Sequence, residues 1–461
     1  MSLLLNPPLL VKIIKEYISD MGRLEKYSFD KINKYRNNVF KKLIKYAYTV
    51  PVYRDKYKKA GIKIQDIKSI EDIIKLPIIH REDLIKSYPH GLISPIQRRD
   101  RILVNTSGST RNPVRLYMDQ YTLLKSLILY VRELRHYGIK WTKSRISIIG
   151  NFYQQTALTR YFTSAAAPSL KPFFSLKNIQ LLNADDDLKE MMKRIDEFKP
   201  EFIIGFPGPL RHLALLKKEG YGKNVEPQCI VSSGGLIDSY EKKNIEKIFG
   251  ARVFDIYGST EAGPISFECE KGNFHINSDA VYLEVVNRDG EILEKGEKGK
   301  LVITRLYGRG TPIIRYTGMG DIITLKEGSC SCGLQTELLA KVHGRIKETL
   351  VLPDKKLVLP DELADVPGKV MLELKTDKID RIQIVQRSLS KIDVLVIINQ
   401  DKRNRGAPVE KLFEGLKREY QKLFGSKVEV DVKEVEKLEA EDEQGEITPG
   451  VLTKIDANSY I

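Results

Sequence analysis

Residues 254–264 read FDIYGSTEAGP. The run Ala251-Arg252-Val253-Phe254-Asp255-Ile256 has a strand's composition and feeds directly into Tyr257-Gly258-Ser259-Thr260-Glu261. Tyr257 offers a flat apolar face. Gly258 permits a tight backbone turn and a close approach to a ligand. Ser259 and Thr260 add hydroxyls, and Glu261 adds a carboxylate able to hold a metal ion. At the C-terminal end of a strand, those parts suit a nucleotide and its Mg²⁺. A polar turn after a buried strand explains the same residues, so the surrounding chain has to decide.

Upstream, helix and strand alternate. A helix is expected over 121–137 and a strand over 145–150. Asn183 is expected to open a helix with Asp185, Asp186 and Asp187 in its first turn, where carboxylates suit the helix dipole. Strand 201–205, helix 209–219, strand 228–233, helix 238–249 and strand 251–256 follow. This order implies a parallel sheet with ligands at the strands' C-terminal ends. The turn Ser232-Ser233-Gly234-Gly235 then shares an edge with Tyr257–Glu261. Earlier still, Ile102-Leu103-Val104 opens into Asn105-Thr106-Ser107-Gly108-Ser109-Thr110-Arg111-Asn112-Pro113. Hydroxyls and bare N–H groups make that loop a phosphate-cradle candidate. The Walker A spacing is absent, and Ser-Gly-Ser-Thr is also ordinary loop composition. Residues 1–100 read as a helical lead-in with no chemistry of its own. Phe40, Leu43, Ile44 and Ala47 recur at helical spacing up to Pro51, and Ser69 with Asp72 suggests a capping box. His80 and His90 are isolated histidines.

Downstream of 265 the period changes to two. Residues 274–286 alternate, Arg288-Asp289-Gly290 turns, and 299–306 is another strand, so an antiparallel subdomain is expected. It ends in TPIIRYTGMGD, residues 311–321. Asp321 is placed to accept both hydroxyls of a ribose; a surface acid is the plain alternative. A boundary is expected near Arg345, dividing a large domain (1–345) from a small α+β domain (346–461). The small domain should run strand 370–375, strand 381–387, strand 391–398, helix 408–424, strand 427–435, then an acidic loop.

The whole-chain composition narrows the class. The chain has 461 residues, 42% hydrophobic and 30% charged, which is globular and too long for one core. No apolar run approaches the ~20 residues that cross a bilayer. The start, MSLLLNPPLLVKII, lacks a basic n-region, so no signal peptide is read and a cytoplasmic, membrane-free protein is expected. Net charge is +15. The basic residues are scattered, with RRDR at 98–101 the densest group, which favours a solvated surface over a nucleic-acid partner. Polyanionic small ligands would also benefit.

Four cysteines are too few for a disulfide scaffold of this length. Cys269 and His275 lie in FECEKGNFHIN, and Cys330 and Cys332 in GSCSCG. Three thiolates and an imidazole make a closed tetrahedral set for a structural Zn²⁺, with no position left for a catalytic water. Four unrelated residues are the alternative. Cys229 reads as a buried strand thiol.

Taken together, the Thr106–Thr110 loop, VFDIYGSTEAGP, TPIIRYTGMGD, HGR at 343–345, LPIIHREDL and IQIVQ at 382–386 carry a resemblance. The chain resembles the phenylacetate–CoA ligase-like and capsular-polysaccharide-type branch of the adenylate-forming enzymes, over nearly its whole length. The resemblance implies ATP and Mg²⁺ as cofactors, a carboxylic acid as substrate, and CoA or another thiol as acceptor. It assigns Thr106, Ser107, Gly108, Ser109 and Thr110 to the β- and γ-phosphates, and Ser233, Gly234 and Gly235 to the adenine pocket. Tyr257 would stack on adenine, with Gly258 and Ser259 beside it. Thr260 would touch phosphate, Glu261 would bind Mg²⁺, Asp321 the ribose, and Arg345 would sit at the hinge. A structural Zn²⁺ occurs in some members of this branch. The expected assembly is a homodimer.

Two departures stand out. Arg111-Asn112-Pro113 replaces the usual Gly-Lys-Pro of the phosphate loop. Near the end, Val451 stands where the branch carries its catalytic lysine, leaving Lys454 as the nearest candidate. Transfer to a non-CoA acceptor, and an adenylate-binding scaffold without turnover, therefore stay open beside an acid–CoA ligase.

Overall fold

The structure is a computed structural model that describes residues 6–96, 101–106, 113–152, 177–439 and 450–461. The lead-in is helical: α1 (Pro7–Asp20), α2 (Arg23–Lys26), α3 (Phe29–Ala47), α4 (Pro51–Lys59) and α5 (Arg81–Ser87). Pro51 ends nothing by itself; it opens α4 at the first helical position, where its missing N–H costs little. Ser69 and Asp72 form the expected capping box, on a 3₁₀ turn rather than an α-helix.

A hairpin, β1 (Ile102–Asn105) with β2 (Arg115–Met118), then precedes α6 (Gln120–His136). The strands β3 (Ile146–Gly150), β4 (Ile179–Asn183), β5 (Phe202–Gly205), β6 (Cys229–Ser233) and β7 (Arg252–Ser259) are all paired in parallel. Helices α7 (Leu188–Phe198), α8 (Pro207–Lys218) and α9 (Ser239–Phe249) connect them. The strand β4 was not anticipated, and the helix expected at Asn183 begins only at Leu188. Of the three acids, Asp187 is the cap, accepting from the N–H groups of Lys189 and Glu190.

Antiparallel strands continue the same sheet: β8 (Gly263–Glu268), β9 (Phe274–Ile276), β10 (Val281–Val286), β11 (Lys298–Arg305), β12 (Asp321–Lys326) and β13 (Leu338–Arg345). Among the described residues the result is one eleven-stranded sheet, ordered β10-β11-β12-β13-β9-β8-β7-β6-β5-β3-β4. The change from parallel to antiparallel falls between β7 and β8, at Thr260–Ala262. Residues 254–264 therefore form the joint of the sheet.

After Arg345, β14 (Leu350–Val351) and β15 (Leu357–Val358) pair, and α10 (Pro360–Glu373) follows. A four-stranded sheet comes next: β16 (Ile379–Ser388), β17 (Lys391–Ile398), β18 (Glu429–Glu434) and β19 (Val451–Thr453), in the order β18-β17-β16-β19. The helix α11 (Val409–Phe424) packs on it. The strand expected at 370–375 is a correction: Val370 belongs to α10. Leu363, Val366 and Val370 are buried at helical spacing, while Leu372 is exposed. That apolar run suits a helix face, not a pleat.

The two sheets meet through α9 and α10. A Cβ on Gly368 would lie 2.6 Å from Tyr240 Cβ, so the helices touch backbone to side chain. His343, on the last strand of the large sheet, holds Asp361 of α10 at 3.0 Å through Nδ1 and Thr324 at 3.0 Å through Nε2. Gly368→Leu is expected to wedge α10 off α9 and cost about 1–3 kcal/mol. Limited proteolysis should then cut faster around residues 346–349; an unchanged cleavage rate would refute the tight fit.

Candidate active site

The site starts from β7. Gly258 lies within this strand and does not make the turn. Its missing side chain is required by crowding, since a Cβ would sit 2.7 Å from Tyr130 Oη and 3.0 Å from Gly263 O. The turn itself is Thr260–Ala262. Ser259 Oγ accepts from Ala262 N–H at 3.1 Å, so this hydroxyl is used to close the turn. Arg305, buried on β11, donates to Glu261 O at 2.7 Å and to Thr311 O at 3.0 Å. Tyr307 Oη donates to Ala262 O at 3.0 Å. Three side chains thus fix the backbone on which Glu261 stands.

Tyr257, Glu261, Asp321 and Arg345 come together. Tyr257 Oη donates to Asp321 Oδ2 at 2.5 Å, and Arg345 Nε lies 3.9 Å from Asp321 Oδ1. Asp321 and Arg345 face each other across β12 and β13. Glu261 and Asp321 are buried. Burial pushes both carboxyls above their usual range; Asp321 adds repulsion at Glu261, and Arg345 pulls both back down. Two desolvated acids beside one arginine make a site that gains from a cation. Thr260 is half-buried on the same turn.

The neighbouring turn is also formed. Ser233 Oγ donates to Ile256 O at 3.0 Å, tying β6 to β7 just before Tyr257. Gly234 has φ +86° and lies under the Phe206 ring, where a Cβ would come within 2.6 Å. Of the hydroxyl loop, Thr106 is described: it is buried, its N–H donates to Val114 O at 2.9 Å, and its Oγ1 accepts from Val114 N–H at 3.1 Å. This bracket closes the loop's base. Ser107, Gly108, Ser109, Thr110, Arg111 and Asn112 lie outside the described residues. The hairpin's β2 is pinned beside the 311–321 run, because Thr311 N–H donates to Tyr117 O at 2.7 Å and Tyr117 N–H to Thr311 Oγ1 at 3.0 Å.

Lys454 is exposed past the end of β19 and takes no part in the contacts that join Tyr257, Asp321 and Arg345. Val451 is buried in the core of the four-stranded sheet, paired with Ile384. Two cations escaped the sequence reading. The charge of Arg81 lowers the Glu261 carboxyl, and that of Lys347 lowers Asp321. Arg81 arrives because the lead-in is stitched to the 311–321 run: Ile79 N–H donates to Arg315 O at 2.8 Å, and Thr317 N–H to Ile79 O at 3.0 Å. Nothing within HRED, residues 80–83, marks Arg81, because its place depends on that long-range pairing.

Cys269, His275, Cys330 and Cys332 also converge, with ligand atoms all within 4.8 Å of one another. Cys269 Sγ and Cys330 Sγ are 3.6 Å apart. A tetrahedral ion with Zn–S bonds of about 2.3 Å sets sulfurs roughly 3.7 Å apart. Thr336 Oγ1 donates to Glu337 O at 3.2 Å, so it accepts from His275 Nδ1–H at 2.8 Å. That leaves Nε2 unprotonated, 3.2 Å from Cys332 Sγ. The tautomer, the donor types and the spacing all fit a metal ion.

A sheet that turns antiparallel at its candidate ligand turn, with a small α+β unit docked beside it, is the fold of the adenylate-forming CoA ligases. The crystal structure of 2-hydroxyisobutyryl-CoA ligase in its postadenylation state superposes with a TM-score of 0.77, at 19% identity, covering 95% of this chain and 92% of that one. Among curated proteins, phenylacetate-coenzyme A ligase of Pseudomonas putida is 24% identical over 342 residues, 71% of this chain and 74% of that protein. Protein CapK of Staphylococcus aureus is 22% identical over 394 residues, 84% of this chain and 81% of its own length. No protein-family model matches the chain.

Proposed function

We propose that this chain activates a carboxylic acid with ATP and Mg²⁺ as an acyl-adenylate, and then passes the acyl group to CoA. The observation that carries the reading is the hydrogen bond from Tyr257 to Asp321 beside Glu261 and Arg345, at the joint of the sheet. The names of the relatives, acid–CoA ligases, point the same way. In the first half-reaction a carboxylate oxygen attacks the α-phosphorus and pyrophosphate leaves. In the second, a thiolate attacks the acyl carbon and AMP leaves.

Within this reading Tyr257 stacks on adenine above Ser233, Gly234 and Gly235, and Asp321 accepts from the ribose. The Thr106–Thr110 loop and Thr260 hold phosphate oxygens. Glu261 holds Mg²⁺, which when bound would neutralise phosphate charge. Arg345, with Arg81 and Lys347 nearby, sets a positive field for an anionic ligand. We place the division between a large and a small domain near Arg345, and the protein in the cytoplasm. The Cys269, His275, Cys330 and Cys332 cluster holds one structural Zn²⁺. The buried Val451 supports a second reading, an adenylate-binding chain that does not turn over.

ATP–pyrophosphate exchange against a panel of carboxylic acids separates the two. The expected result is exchange with at least one acid, and AMP release that depends on CoA. ATP binding with no exchange for any acid would overturn the first reading. Exchange without CoA-dependent release would move the acceptor to another thiol.

A further inference from the structure

The helix α1 is apolar on two sides. Leu9, Leu10, Ile13 and Met21 pack with Leu124 and Ile128 of α6. On the other side Val11 is 52% exposed, Ile14 49% and Ile18 71%. Spacings of three and four residues put these on one stripe. The acids of α1 turn inward. Glu16 accepts from Tyr121 Oη at 2.7 Å and Lys125 Nζ at 2.8 Å, and Asp20 is fully buried against Lys125 and Arg23. Lys12 lays its ammonium 3.4 Å over the Tyr121 ring, so Lys15 carries the outward charge of this helix.

The neighbouring helix repeats the sign. The Arg23 guanidinium, on α2, lies 4.0 Å over the Tyr35 ring of α3. Along one face of α3, Lys31, Lys34, Lys41, Lys42 and Lys45 are all exposed, while its one acid, Asp30, sits in the first turn. Lysines that are scattered in the sequence are aligned by the helix. Trp141, the one tryptophan of the chain, donates from Nε1 to Tyr17 Oη at 3.2 Å. A Tyr–Trp pair beside an apolar stripe suits the headgroup level of a bilayer.

We propose that this end of the molecule docks on an anionic lipid surface. The Val11–Ile14–Ile18 stripe enters the boundary between headgroups and acyl chains, and Lys15 with the lysines of α3 faces lipid phosphates. A second copy is the poorer fit, because the net charge is +15 and a two-fold contact through α1 would oppose like lysines. No helix among the described residues is long and apolar enough to cross a membrane, so the attachment is peripheral. The sequence expectation of a membrane-free protein rested on spanning segments, which peripheral docking does not need.

The test uses the full chain with vesicles of phosphatidylcholine, with and without about 30% phosphatidylglycerol. Sedimentation with the anionic vesicles is expected, with release by salt and a blue shift of Trp141 emission. Ile14→Ser/Ile18→Ser alters exposed positions only. It should weaken vesicle binding at least about tenfold, with the thermal melt unchanged. Three results would each overturn the proposal: no binding to anionic vesicles, equal binding to neutral ones, or equal binding by the double variant. A wild-type dimer that the double variant dissolves, with no vesicle binding, would overturn it too and assign the face to self-association.

Discussion

Glu261→Gln is expected to lower ATP–pyrophosphate exchange by about 10²–10³-fold while making the chain more stable near neutral pH. Both effects come from the same burial. Glu261 stands on a backbone braced by Arg305 and Tyr307, in reach of Asp321's charge. Burial and that neighbour hold its carboxyl above the usual range. The folded state therefore keeps this proton to a higher pH than the unfolded chain, whose glutamates titrate near ~4.3. As pH rises through the window between the two values, the unfolded chain ionises first, and stability is lost. Gln has no proton to release, so the variant escapes that loss. Its melting temperature should match the wild type at low pH and exceed it above the window. Melts across pH without added metal, alongside exchange assays, check both halves. Unchanged exchange in Glu261→Gln would remove this residue from the chemistry.

Cys332→Ala is expected to bring the zinc content from about one per chain to near zero, and to cost more than about 4 kcal/mol of stability. The reason is what the cluster joins. Cys269 and His275 lie on the segment that continues from the Glu261 turn through β8 and β9, and Cys330 and Cys332 lie on the turn between β12 and β13. His275 is oriented by Thr336, and the next residue, Glu337, accepts from Arg36 of the lead-in at 2.7 Å. Removing one ligand frees three polar side chains in a closed site. Metal analysis with a thermal melt tests this directly. A metal-free wild-type protein that melts at the same temperature as the metal-loaded one would refute the clamp.

The parts of the site that lie in one contiguous stretch were legible. Tyr257 to Glu261 carried their chemistry in adjacent letters, and the alternation of helix and strand placed the Ser233–Gly235 turn on the same edge. The fold was legible where one face of an element is wet. It was not legible at β8, whose six residues are all buried, so no alternation survives. Val370–Lys375 failed for the converse reason, as a run of apolar residues on α10 looked like a pleat until Leu372 proved exposed. Arg81 was invisible because its place depends on Ile79 pairing with Tyr316. Nothing local announces a contact across that many residues. The five lysines of α3 stand scattered in the linear sequence, and only the helical period brings them to one face.

The strand pair β12–β13 carries Asp321 and Arg345 at one end and the cysteine turn at the other. The pair runs about 20 Å over six residues, with register shifts at Ile322/Ile323 and Thr324/Leu325 that bend it without ending the ladder. It works as a beam supported at both ends, and an error in seating one end tilts the other. If Asp321 and Arg345 hold the nucleotide as proposed, a change in the remote GSCSCG turn would therefore register in KM for ATP before the chain loses its fold.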